Sequence, residues 1–180
     1  FTVVKDFTYD AHHRLKSSTV TLPTAAALGD LSGFTYTEQV GYDEVGQPTT
    51  LTMPAVGGIP AETVTTGYNR FGSAVSLSAG AVDLVTGVAR DAQGRVTSRE
   101  LGNGVTRSFT WDPFDGALSV ASASYEDGAS SKFFQHDVYV RDSVGRVTGV
   151  VDRVRRTPED SYGVRDVAQC YDYDVHNRLE

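Results

Sequence analysis

The chain has 180 residues, 39% of them hydrophobic and 22% charged, with a formal net charge of −7. No run approaches the roughly 20 apolar residues that cross a bilayer as a helix. The acidic balance excludes nucleic-acid binding through a global basic field. The lone cysteine, Cys170, excludes an intrachain disulfide and a thiolate zinc cluster.

Valine, threonine, tyrosine and phenylalanine outweigh the strong helix formers, and 18 glycines punctuate the chain. Such residues fit pleated, half-buried surfaces and turns, so the expected class is all-β. In chain order, a first strand runs through Val3–Tyr9. Pro23–Leu28 allows one short helical turn, and Pro54–Pro60, with Gly57-Gly58, reads as a loop. Leu101-Gly102-Asn103-Gly104 is a hairpin turn signal, and Val105, Arg107, Phe109 and Trp111 share one face of the strand that follows. Thr157–Asp160 reads as another loop, and the chain closes in a strand-like run at Arg178-Leu179-Glu180. No signal-peptide pattern is visible. Both ends read as cut, so a slice of a longer polypeptide is expected.

One motif recurs seven times: an aromatic or arginine, then Asp or Asn, two free positions, a turn residue, a polar or small residue, and a strand. The copies begin at Tyr9-Asp10, Tyr42-Asp43, Tyr68-Asn69, Arg90-Asp91, Trp111-Asp112, Arg141-Asp142 and Tyr173-Asp174. The Asp/Asn positions 10, 43, 69, 91, 112, 142 and 174 are spaced by 33, 26, 22, 21, 30 and 32 residues. A fixed core with elastic connections predicts hairpins whose loops vary along one edge. The Asp or Asn can cap amides two residues on. Gly46, Gly72, Gly94, Gly116, Gly145, His13 and Asn177 stand where φ is expected to be positive. Arg14, Arg95, Arg146 and Arg178 follow those sites, whereas Gln47, Ser73 and Ala117 replace the arginine elsewhere. No linker divides the chain, so 1–180 reads as one repeat segment.

The Tyr-Asp-x-x-Gly-Arg-Leu/Val pattern resembles the YD repeat of the RHS-repeat proteins, which include polymorphic toxins, Tc toxin B and C components, wall-associated proteins and teneurins. The resemblance spans essentially the whole chain. It implies consecutive antiparallel hairpins forming a curved sheet, a segment of a spiral β-shell. It also implies a non-enzymatic wall around a polypeptide cargo such as a C-terminal toxin domain, with the remainder of the shell as partner. The setting implied is a secreted or cell-surface protein, and the absence of an Asn-x-Ser/Thr sequon favours a bacterial source. The alternative is a teneurin-like or wall-associated module that binds a protein, carbohydrate or cell-surface receptor.

The candidate chemistry reads as structural. The repeated aspartates are expected to cap turns, and the arginines to ladder across hairpins, pairing with carboxylates or stacking on tyrosines. Phe7, Tyr9, Phe109, Trp111, Tyr171 and Tyr173 suit cross-strand packing better than a sugar-binding ladder. His12 and His13, adjacent on an extended strand, would face opposite ways, and no metal-binding histidine spacing occurs. Asp172 and Asp174 lack a third acidic neighbour for calcium. No catalytic residue, cofactor or metal is expected. Cys170 is expected to be a small buried hydrophobe.

The resemblance also implies a self-cleaving Asp-Pro segment at a shell's end. Asp112-Pro113 is followed by two further copies, so it reads as a variant turn. Arg153-Val154-Arg155-Arg156 matches a furin-type site but reads as a solvated loop. A slice of such an array leaves unpaired edges, so it is expected to be stable only when capped, dimerised or held in its parent.

Overall fold

The computed structural model describes residues 2–127, 130–152 and 167–179. The furin-type run and the Thr157–Asp160 loop lie outside these residues. The chain divides into two compact units, Phe1–Leu84 and Val85–Glu180.

The first unit holds β1 (Val4–Tyr9), β2 (Leu15–Thr21), β3 (Thr35–Tyr42), β4 (Pro48–Met53), β5 (Glu62–Tyr68) and β6 (Ala74–Ala79). A short 3-10 helix, Ala26–Leu31, lies between β2 and β3 at the predicted helical turn. β7 (Val82–Arg90) runs across the division. The second unit continues with β8 (Val96–Leu101), β9 (Val105–Trp111), β10 (Leu118–Asp127), β11 (Ser130–Arg141), β12 (Val147–Asp152) and β13 (Val167–Cys170). Within each unit the strands lie in chain order, every pair antiparallel. The all-β expectation of consecutive hairpins therefore holds.

Each motif copy closes a hairpin, and most returning strands carry a β-bulge directly after the turn. Tyr9 faces Leu15 while Thr8 faces Ser17, so Lys16 is left over. The same slip leaves out Thr49, Val75, Thr97, Ser119 and Thr148. The bulge after these six turns increases local twist in each of their hairpins alike. The Ser119 hydroxyl donates to the Thr110 carbonyl at 3.0 Å, meeting an acceptor beside its bulge.

The predicted loops resolve into further tight turns. Gly57 and Gly58 both have positive φ, 56° and 85°, between the paired residues Val56 and Ile59, as a two-residue hairpin turn of primed type requires. At 101–104 the Gly104 amide donates to the Leu101 carbonyl, and Gly104 holds φ 83°.

Burial is slight. Among the described residues only Ala121, Ser122, Ala123 and Gly149 are buried, and no large side chain is fully buried. The contacts described between strands join sheet neighbours. Side chains are therefore half-covered by cross-strand neighbours rather than packed into a core. β1 and β13 are exposed along their whole lengths.

Two expectations need correction. Cys170 is exposed rather than buried. It ends β13, which has β12 as its one sheet neighbour among the described residues. His12 and His13 lie in a turn, not on an extended strand, and His13 adopts φ 60°. The fourth turn position demands that conformation, which histidine tolerates better than most residues.

Candidate functional site

The seven turns share one construction. In the first, the His13 amide donates to the Asp10 carbonyl, and the Asp10 amide donates to the Arg14 carbonyl. The Asp10 carboxylate then accepts the amides of His12 and Arg14 at 2.8 and 2.9 Å on Oδ1, and Arg14 Nε at 2.7 Å on Oδ2. One side chain thus closes the turn from inside and fixes the arginine. Asp91 with Arg95, Asp142 with Arg146 and Asp174 with Arg178 repeat the arrangement, with Nε to Oδ2 at 2.7, 2.6 and 2.6 Å. Asp43 and Asn69 keep the amide caps, to Gln47 and Ser73 at 2.8 and 3.0 Å. The turn with one extra residue splits the work: Asp112 caps Phe114 and Asp115, and Asp115 caps Ala117. Gly46, Gly72, Gly94, Gly116 and Gly145 all have positive φ, between 73° and 90°.

Within each unit the turns are tied to one another by the residue before the Asp or Asn of the later turn. Tyr42, Tyr68 and Tyr173 donate their hydroxyls to the carbonyls of Leu15, Pro48 and Val147, each at 2.9 Å. Trp111 Nε1 donates to Val96 at 2.8 Å. Where arginine replaces the aromatic at Arg141, Nη2 donates to Leu118 at 3.2 Å, in the equivalent place. Each acceptor opens the returning strand of the preceding hairpin.

The motif arginine reaches forward in turn. Arg14 lies over the Tyr42 ring at 4.3 Å, Arg95 over Trp111 at 5.4 Å and Arg146 over Tyr173 at 5.1 Å. Arg146 Nη1 also donates to Asn177 Oδ1 at 2.7 Å. A Cβ on Gly116 would stand 3.0 Å from Arg95 Nη1, so that glycine answers both a backbone and a packing demand. Gln47 substitutes by donating to the Gly72 carbonyl at 3.0 Å, and its shorter reach leaves an open groove lined by Asp43, Val45, Tyr68 and Arg70. Tyr9 is 60% exposed and Arg178 stands well out into solvent.

The electrostatics follow from this geometry. The Arg14 amide hydrogen bond is the largest influence on Asp10; with the guanidinium it overcomes desolvation and lowers the carboxyl to about 2. The Arg178 amide does the same for Asp174, lowering it. Desolvation is the largest influence on Asp91 and Asp142 and pushes both up, but the side-chain and amide bonds from Arg95 and Arg146 together prevail and lower them. A carboxyl depressed in the folded state contributes stability that is present above its unfolded pKa near 4 and lost as pH falls through the folded value. The expected result is a level unfolding midpoint above about pH 5 and a decline between about pH 4 and 2. Thermal unfolding followed across that range checks it, and a flat profile down to pH 2 sinks the idea. Among the described residues no three His, Cys, Asp or Glu side chains gather as metal ligands would.

Comparison with known proteins decides the fold. The Tc toxin chain in the TcdB2-TccC3-Cdc42 crystal structure superposes with a TM-score of 0.74, at 16% identity, over 96% of this chain and 9% of that one. The fold is that of the RHS repeats. TcdB2-TccC3 without its hypervariable C-terminal region gives 0.74 and 16% over 96% of this chain and 8% of that one. The Tc holotoxin pore of Photorhabdus luminescens gives 0.72 and 17% over 93% and 8%. The chain thus spans less than a tenth of the length of these RHS-repeat neighbours. No family model and no curated protein matches. No helix among the described residues is long and apolar enough to cross a membrane.

Proposed function

We propose that this chain is a wall segment of an RHS-type shell that encloses a polypeptide cargo, such as a C-terminal toxin domain, in a secreted bacterial protein. The observation that carries this reading is the match over 96% of the chain to a Tc toxin chain roughly ten times longer. The near absence of a core among the described residues supports it, because sheets covered only by their own cross-strand contacts gain stability from continued pairing with further repeats. The exposed β1 and β13 offer the edges for that pairing. The wall's action is physical: it keeps proteases and bulk solvent from the enclosed chain.

Limited proteolysis of the full-length parent, read by intact mass, tests the reading. A discrete C-terminal fragment that survives until the wall is opened supports enclosure. Immediate digestion of that segment while the repeats persist overturns it and makes the repeats an outward-facing scaffold.

A further inference from the structure

Within each unit, consecutive repeats meet at two positions: the arginine position of one turn and the aromatic position that opens the next. Arg14, Arg95 and Arg146 each lie 4.3–5.4 Å from the ring centre of Tyr42, Trp111 and Tyr173. Where the second position is itself cationic, at Arg141, the first is Ala117. Arg141 then fills the vacated place and donates both to Leu118 at 3.2 Å and to its own turn's Gly145 carbonyl at 3.1 Å. The same combination of residue types recurs in the sequence at Ser73 and Arg90. Gln47, which is neutral, precedes Tyr68. No two consecutive repeats place arginine at both positions.

The geometry supplies the reason. An arginine in place of a stacked ring would bring two guanidiniums within about 5 Å of each other, where like charges repel and no carboxylate stands between them. The turn's own Asp already faces its own arginine from the other side, as Asp142 does with Arg146 at 2.6 Å. We propose that these two positions form a junction code, one cation at most per junction, which specifies which hairpin can lie beside which. An array of hairpins with nearly identical backbones needs such a device, because its edges are otherwise interchangeable. By the same rule, a hairpin that pairs alongside the exposed Arg178 carries no cation before its Asp, and a hairpin led by arginine is refused. The inference rests on the junctions and not on whether the parent encloses a cargo.

The test uses the whole 180-residue chain and thermal unfolding at low and high salt. A117R creates an Arg–Arg junction with Arg141, and A117R/R141Y converts it to the Arg–Tyr type. Y173R opposes Arg146, and R146S/Y173R converts that junction to the small–Arg type. The code predicts that each single variant lowers the midpoint by about 2–4 °C. It predicts that about 1 M salt recovers part of this loss by screening, and that each double variant is more stable than its single. Single variants as stable as the parent, losses that salt does not move, or doubles no better than singles would each overturn it. If Y173R does not fold, the Ala117 pair alone decides, since A117R removes no ring and no side-chain hydrogen bond from its junction.

Discussion

Trp111→Ala is expected to destabilise the second unit by about 2–3 kcal/mol, and Trp111→Phe by about 1 kcal/mol. Three interactions converge on this indole. Its Nε1 donates to the Val96 carbonyl at 2.8 Å, its face carries the Arg95 guanidinium, and its body covers part of the sheet between two hairpins. Alanine removes all three. Phenylalanine keeps the ring under the cation and loses the donor, leaving a half-buried carbonyl to water. The ring is half-buried rather than enclosed, so the alanine loss falls below that of a core tryptophan. Because Trp111 is the single tryptophan, unfolding in urea has to be followed by far-UV circular dichroism. If phenylalanine costs as much as alanine, the hydrogen bond alone carries the junction. If alanine costs nothing, the junctions do not hold the hairpins together.

Ala123→Leu is expected to cost about 1–3 kcal/mol, an unusual result for an enlarged apolar side chain in a sheet with so little core. Ala121 and Ala123 are only 3% exposed. In register, Ala121 stands between Phe109 and Asp137, and Ala123 between Arg107 and Gln135. The larger neighbours cover the two methyl groups, and a leucine at either position would push those neighbours outward. Ala92→Leu, on an exposed turn, serves as the comparison and should change stability by less than about 0.5 kcal/mol. Equal tolerance at both sites would show that the cover over Ala123 is loose.

The turns were legible in the sequence because their chemistry is local. Asp10 closes its loop on residues no more than four positions away, and Gly94 or His13 meets a backbone demand visible from spacing alone. What spans two hairpins was not legible in the same detail. That Arg95 pairs with its own Asp91 yet covers the next repeat's Trp111 depends on how hairpins lie side by side. The bulges at Thr49 and Ser119 leave no mark in composition, because the residue left over is ordinary and only the register shows it. Ala121 and Ala123 look like filler in a strand, and their burial comes from the size of their neighbours. Cys170 is exposed although cysteine is a residue type more often buried, because β13 has one described neighbour and residue type says nothing of that.

The first unit is stitched along one hem and loose along the other. On the Asp side each turn is a five-residue unit, 10–14, 43–47 and 69–73, tied inside by its cap and to its neighbour within the unit. On the opposite side the links run from two residues at 80–81 to thirteen at 22–34, while the pairing of the strands they join keeps its order. Length can therefore change on the loose hem without disturbing the register that the stitched hem sets. Foreign peptides grafted at 57–58 would be carried as tassels on a fabric whose weave is decided elsewhere.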